Sequence, residues 1–141
     1  VNQGEEEDKD ALIIPKTRDI GDTPWKLEIT MDETPVLLLN NKIPDVLNRL
    51  YHPLFRSLLL PGVVREVFMN IFWNGDDGDN SLSWQSKWLE FGKKTTGLDF
   101  PEVRDSDPFE ITEWIDEVIS KLCGEHKITD KLIDTLSDEE N

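Results

Sequence analysis

The chain has 141 residues, 37% hydrophobic and 32% charged, which suits one domain with a single core and a strongly solvated surface. Its formal net charge of −15 argues against direct nucleic-acid binding and against docking on an anionic membrane, because both need clustered lysine and arginine. The single cysteine, Cys123, excludes an internal disulfide and a multi-cysteine metal site, and it favours a cytoplasmic location.

The first third of the chain predicts an acidic arm followed by a small antiparallel sheet. Residues 1–11 are polar and acidic, so we expect them to be disordered. Residues 25–29 alternate apolar and polar, and 34–40 form an apolar run. With the loop 31–33 between them, these segments predict a hairpin of two antiparallel strands. The short apolar run at 12–14 offers a third strand at an edge.

The longest apolar run, residues 53–73, predicts the central helical element around which the other elements pack. Proline inside a helix removes a hydrogen bond and clashes with the preceding turn, so Pro61 predicts a break or kink near Leu60, between helices at about 53–60 and 61–73. Two arginines interrupt the run, which argues against a membrane span. The predicted buried residues of the second helix follow helical spacing: Val63, Val64, Val67, Phe68, Ile71 and Phe72.

A shorter helix is predicted before this run, opened by Pro44 and ending near His52. Its apolar positions predict one buried face: Val46, Leu47, Leu50 and Tyr51. After the central run comes a polar loop, and then Ser81 or Ser83 is placed to cap a helix that ends near Gly97.

The strongest local signal is Asp107-Pro108-Phe109-Glu110, which combines a cap residue, a proline at the first helical position and a glutamate at the third. An apolar stripe extends from there to Cys123, and Gly124 is predicted to end the helix. A last short helix is expected at 129–136. The chain therefore predicts an α+β fold, a two- to three-stranded antiparallel sheet packed on about five helices. One globular domain would span 12–137, with a frayed tail at 138–141.

Catalytic and metal-binding patterns are sparse. The loop residues Asp76, Asp77 and Asp79 offer carboxylates to a cation, and they motivate one alternative function, a metal-dependent hydrolase. Neither twelve-residue frame that starts at Asp77 or Asp79 has the glycine that an EF-hand needs at its sixth position, so a solvated turn is favoured. No hydrolase, nucleotide or cofactor signature is present in the sequence, and we expect no cofactor.

Two features suit binding to another protein. Trp84 and Trp88 lie one helical turn apart, where an exposed pair would anchor a partner, although core positions are the favoured interpretation. Glu110, Glu113 and Glu117 line one side of the helix that follows Asp107, where they suit either a basic partner or solubility. Lys127 and Lys131 lie near Asp130 and Asp134 in the sequence, which favours solubility for this acidic segment.

The sequence thus favours a non-catalytic interaction or accessory module with a protein partner, as one domain or subunit of a larger assembly. An alternative within the binding class is an acidic decoy that occupies the nucleic-acid-binding surface of its partner. The oligomeric state is left open.

Overall fold

The computed structural model describes residues 11–74, 83–102 and 107–140. Within them the order of elements is β1 (Ile14–Arg18), β2 (Trp25–Glu28), β3 (Val36–Asn40), α1 (Val46–Arg49), α2 (Pro53–Trp73), α3 (Trp84–Thr96), α4 (Pro108–Glu125) and α5 (Ile128–Glu140). The predicted α+β class is confirmed. The predicted acidic arm lies outside the described residues except for Ala11, and so does Asn141 at the end of the predicted tail.

The sheet is mixed, so the prediction of a purely antiparallel sheet is wrong in one pairing. β2 and β3 form the predicted antiparallel hairpin, in which Trp25 lies opposite Leu39 and Leu27 opposite Leu37. β1 pairs in parallel with β3, which makes β3 the central strand. Apolar periodicity identifies a strand and its buried face, but it carries no information on the direction of the neighbouring strand.

Asn40, at the end of β3, stabilises the crossing from β1 to β2. Its buried side chain donates from Nδ2 to the backbone carbonyls of Gly21 and Thr23, each at 2.9 Å, and its Oδ1 accepts from the Lys42 N–H at 3.0 Å. Gly21 has a φ of 70°, a left-handed conformation that glycine adopts without steric cost. Asn40 thereby holds the loop across the end of the central strand, and β2 reaches the far edge of the sheet.

The predicted break at Pro61 is wrong, because α2 continues without interruption from Pro53 to Trp73. Because proline has no backbone N–H, α2 lacks the hydrogen bond to the Ser57 carbonyl, and this loss lowers the stability of the helix. Burial on both sides of Pro61 explains the continuity: Leu59 and Val63 both contribute to the core against the sheet, and a break would separate them. The predicted buried face is confirmed at all of its positions: Val63, Val64, Val67, Phe68, Ile71 and Phe72.

α1 is shorter than predicted. It follows Asp45, whose φ of 55° is left-handed, so Pro44 does not open the helix. Val46 is buried, whereas Leu47 is 45% and Tyr51 79% exposed, and the predicted single buried face is wrong at these two positions.

The predicted helix starts in the second half are confirmed by their caps. The Ser83 hydroxyl accepts a hydrogen bond from the Ser86 N–H at 3.1 Å at the start of α3, and α3 ends at Gly97, which has a φ of 73°. The Asp107 carboxylate accepts from the Glu110 N–H at 2.9 Å at the start of α4. These caps satisfy N–H groups that have no partner within the helix.

The end of α4 differs from the prediction. Gly124 lies inside α4, and the residue with a left-handed φ is Lys127, at 52°. α5 then begins at Ile128 and continues to Glu140, so it is longer than the predicted helix at 129–136.

Two groups of buried side chains form the core, and α2 contributes to both. The larger lies between α2, α3 and α4, where Phe68 makes edge-to-face contacts with Trp88 and Trp114, at ring-centroid distances of 5.4 and 5.0 Å. The smaller joins α2 to the sheet through Leu37, Leu39, Val46, Leu59 and Val63. α2 is therefore the central element of the fold, as predicted.

Candidate interaction surface

The tryptophans proposed as partner anchors are core residues. Trp84 is 5% and Trp88 3% exposed. The Trp84 indole N–H donates to the Thr30 carbonyl at 2.9 Å, and the Trp88 indole N–H donates to the Leu12 carbonyl at 2.7 Å. A buried indole with a satisfied N–H stabilises the fold. Neither ring is presented to a partner, and the interpretation of the pair as an exposed anchor is corrected.

The described residues show no candidate metal site. The predicted cation ligands Asp76, Asp77 and Asp79 lie outside the described residues. Within 11–74, 83–102 and 107–140, no group of three histidine, cysteine, aspartate or glutamate side chains is placed to hold a metal ion.

The histidines have structural positions at helix ends. The His52 Nδ1 accepts a hydrogen bond from the Leu54 N–H at 3.2 Å and caps α2. His126 follows the last residue of α4, and its Nδ1 lies 3.5 Å from the Arg56 guanidinium. Both rings are therefore engaged by neighbouring groups of the fold.

Cys123 borders a shallow groove of about 400 Å³ between the end of α4 and the start of α5. Partial burial raises the pKa of the Cys123 thiol above its usual value, because desolvation disfavours the thiolate. A thiol of this kind is a poor nucleophile. The groove therefore lacks an activated group.

The distinctive surface of the described chain is formed by α4 and α5. Residues 107–140 contain eleven acidic side chains and three lysines, the highest excess of negative charge among the described segments. Apart from Asp107, which caps α4, seven of these carboxylates are wholly or partly exposed and have no ion-pair partner among the described residues: Glu110, Glu113, Glu117, Glu125, Asp130, Asp134 and Asp138. We call these seven residues the acidic surface.

Charges elsewhere in the described chain are more often paired. Arg18 pairs with Glu28 across the sheet at 3.3 Å, and Lys93 pairs with Asp99 at 3.0 Å. The hydrogen bond from Lys93 to Asp99, together with the carboxylate charge, raises the pKa of that lysine. On α4, Asp116 differs from the acidic surface because Arg65 of α2 forms an ion pair with it.

The lysines near the acidic surface do not neutralise it. Lys127 and Lys131 lie within one turn of Asp130 and Asp134, but no ion pair within 4 Å forms between them in the described residues. The surface thus combines like charges along two connected helices, with no ion pair to these carboxylates among the described residues.

The sequence prediction missed exposed apolar residues on α2. Leu58, Met69 and Trp73 are 72%, 39% and 87% exposed. Within this long apolar run, residue type alone does not distinguish these exposed side chains from their buried neighbours. For Leu58 and Met69 the available signal was their spacing to Arg65, since residues seven and four apart share a helix face with that charged position. Trp73 is the last residue of α2 and lies four residues after Met69.

None of the helices in the described residues is both long and apolar enough to cross a membrane. Comparison with family models, with curated proteins and with solved structures finds no match for this chain.

Proposed function

We propose that this protein is a non-catalytic interaction module that binds a protein partner with a basic surface. The observation that carries the proposal is the acidic surface, in which seven carboxylates of α4 and α5 have no ion-pair partner in the described part of the chain. Charge complementarity of this kind steers association and excludes acidic partners.

The helices that present these carboxylates are firmly positioned. The apolar side of α4 is buried against the core through Trp114, Ile115 and Val118, and α5 is anchored by the buried Ile128. A carboxylate on a packed helix loses less conformational freedom on binding than one on a free tail, so less of the interaction free energy is spent on ordering.

The test is a pull-down from the source cell at low salt with three tagged forms of the chain. One form is wild type, and one carries Glu110→Lys, Glu113→Lys and Glu117→Lys. The third carries Asp22→Lys, Asp32→Lys and Glu33→Lys, which makes the same change in net charge at exposed positions outside α4 and α5. We expect a stoichiometric partner with the wild type and the third form, and its loss with the α4 variant.

Two further measurements define the partner class. Affinity for that partner should fall as salt is raised, since interactions between exposed charges are screened. Competition by duplex DNA would identify the partner surface as a nucleic-acid site and assign this chain to the decoy class. Undiminished capture by the α4 variant at low salt would contradict the proposal.

A further inference from the structure

The outer edge of β2 carries backbone groups that the fold leaves unpaired. The Asn40 N–H donates to the Pro24 carbonyl at 3.0 Å, and in an antiparallel ladder the residues that face the partner strand alternate. Lys26 and Glu28 therefore direct their backbone groups to β3. Those of Trp25 and Leu27 point away from the sheet, and no hydrogen bond within the described chain reaches them.

The two edges of the sheet are not equivalent. In the parallel pairing of β1 with β3, the Ile14 N–H and the Arg18 carbonyl bond to β3, so the outward positions of β1 are Pro15 and Thr17. Pro15 has no N–H, and proline at an outward position is a common way to prevent pairing at an edge. β2 has no such protection, because both of its outward positions, Trp25 and Leu27, carry a backbone N–H.

The side chains of β2 are self-complementary. Lys26 and Glu28 lie on the outer face of the sheet, while Trp25 and Leu27 lie on the core face, where they are half-buried. Ile29 continues the apolar row and packs against the larger core group. An antiparallel copy of this segment that is centred on Leu27 would place Lys26 opposite the partner's Glu28, and Trp25 opposite the partner's Ile29.

We propose that β2 pairs with β2 of a second copy of this chain, antiparallel and centred on Leu27, so that two three-stranded sheets join into one of six strands. In this register the outward N–H and C=O of each Leu27 bond to those of the partner's Leu27. Each Lys26 meets the partner's Glu28, once on each side of the two-fold axis, in addition to the ion pair that Glu28 already forms with Arg18 of its own sheet. This proposal is independent of the acidic surface.

The dimer is weak and depends on salt. Pairing one short edge strand buries less than the ~1,200 Å² that stable interfaces reach, so the dissociation constant falls in the range of about 1 μM to 1 mM. Each copy has a net charge of −15, and long-range repulsion between copies is screened as salt rises. We therefore expect association to strengthen between low and physiological salt, the opposite of the trend for binding to a basic partner.

Sedimentation equilibrium of the full chain, up to about 1 mM at physiological salt, tests the proposal. Lys26→Glu places two glutamates against two glutamates in the homodimer, and Glu28→Lys places two lysines against two lysines. Each change should weaken the homodimer about tenfold. An equimolar mixture of the two variants should restore the dimer, because every charge then meets its opposite.

Lys16→Glu is the matched control. Lys16 lies opposite Leu38 in the same row as Lys26, but on β1 at the other edge of the sheet. Lys16→Glu changes the net charge by the same amount as Lys26→Glu. That variant should dimerise like the wild type. In the wild type, the amide hydrogens of Trp25 and Leu27 should exchange more slowly as the protein concentration rises.

Three results would overturn the proposal: a wild-type chain that remains monomeric at about 1 mM, a dimer that both single variants preserve, or a mixture that fails to associate. The variant with Glu110→Lys, Glu113→Lys and Glu117→Lys should still dimerise. Failure of the partner-binding proposal is therefore distinguishable from failure of this one.

Discussion

At the scale of single residues, Gly92 is fixed by packing. It lies on the side of α3 that faces the rings of Trp114 and Phe68. A Cβ at this position would come within 2.9 Å of the Trp114 Cζ2 and 3.1 Å of the Phe68 Cζ, and closer still to the Trp114 Cη2. Because Gly92 has no side chain, the Trp114 indole of α4 can pack directly against the backbone of α3.

Gly92→Ala should therefore destabilise the protein by about 1–3 kcal/mol, the usual cost of overpacking a core, although alanine favours a helix more than glycine does. Denaturant unfolding measures the difference. Gly124→Ala is the control, because it also lies within a helix but a Cβ there would contact nothing within 4 Å. That change should stabilise the protein by up to about 1 kcal/mol, and equal effects at both positions would contradict the packing argument.

Cys123 gives a prediction on pH. Burial favours its neutral thiol and raises its pKa in the folded chain above the value in the unfolded chain. The resulting contribution to stability is present below the unfolded pKa and is lost as pH rises through the folded pKa. Alkylation by iodoacetamide should accordingly reach half its maximal rate at higher pH in the folded protein than in the same chain in denaturant. Coincident pH profiles would contradict this.

At the scale of elements, the features that were predicted correctly are those set by interactions between residues close in the chain. The starts of α3 and α4 follow from Ser83 and Asp107, because a cap bonds to N–H groups only a few residues away. The parallel pairing of β1 is accompanied by a contact that is distant in the chain, because Asn40 bonds to Gly21 and Thr23 from nearly twenty positions away. No periodicity within a single segment encodes that contact.

Pro61 is where a local signal failed. The proline rule predicted two helices, but the structure buries one continuous face along α2. The cost of one missing hydrogen bond and the clash is about 3 kcal/mol relative to alanine, whereas burial of a single large apolar side chain returns about 1.5–3 kcal/mol. Before Pro61, Leu59 is buried and Phe55 and Leu60 are half-buried against the core, and six apolar side chains of α2 are buried after it, so tertiary packing on both sides exceeds the local penalty.

Pro61→Ala should stabilise the protein by about 1–3 kcal/mol. The new N–H can bond to the Ser57 carbonyl, and this gain is partly offset by the greater freedom of the unfolded chain. Thermal or denaturant unfolding measures the change. Pro53→Ala is the control, since proline is tolerated at the first position of a helix and that change should be close to neutral. A destabilised Pro61→Ala variant would show that the proline itself is required for the path of α2.

At the scale of the whole molecule, the core was more predictable than the proposed interaction surface. The buried face of α2 follows from periodicity, and the burial of Trp84 and Trp88 was the favoured interpretation of their spacing. Helical spacing placed Glu110, Glu113 and Glu117 on one side of α4, but the sequence does not show which carboxylates find a partner. Asp116 pairs with Arg65 from a different helix, while Glu113, one turn earlier, has no ion pair among the described residues.

The last prediction concerns Phe68, the residue through which three helices share one core. It is fully buried on α2, and its ring contacts Trp88 of α3 and Trp114 of α4 edge to face. Phe68→Ala should cost about 3–5 kcal/mol, since it removes a large apolar side chain and leaves a cavity that two rigid indoles fill poorly.

For a domain whose total stability is about 5–15 kcal/mol, that loss should lower the melting temperature by many degrees and shift both tryptophan fluorescence and far-UV circular dichroism together. Leu58→Ala, on the same helix but 72% exposed, should change stability by no more than about 0.5 kcal/mol. If Phe68→Ala released the indoles while the helices melted at the wild-type temperature, α2, α3 and α4 would not form one cooperative unit, and the central role of α2 would be wrong.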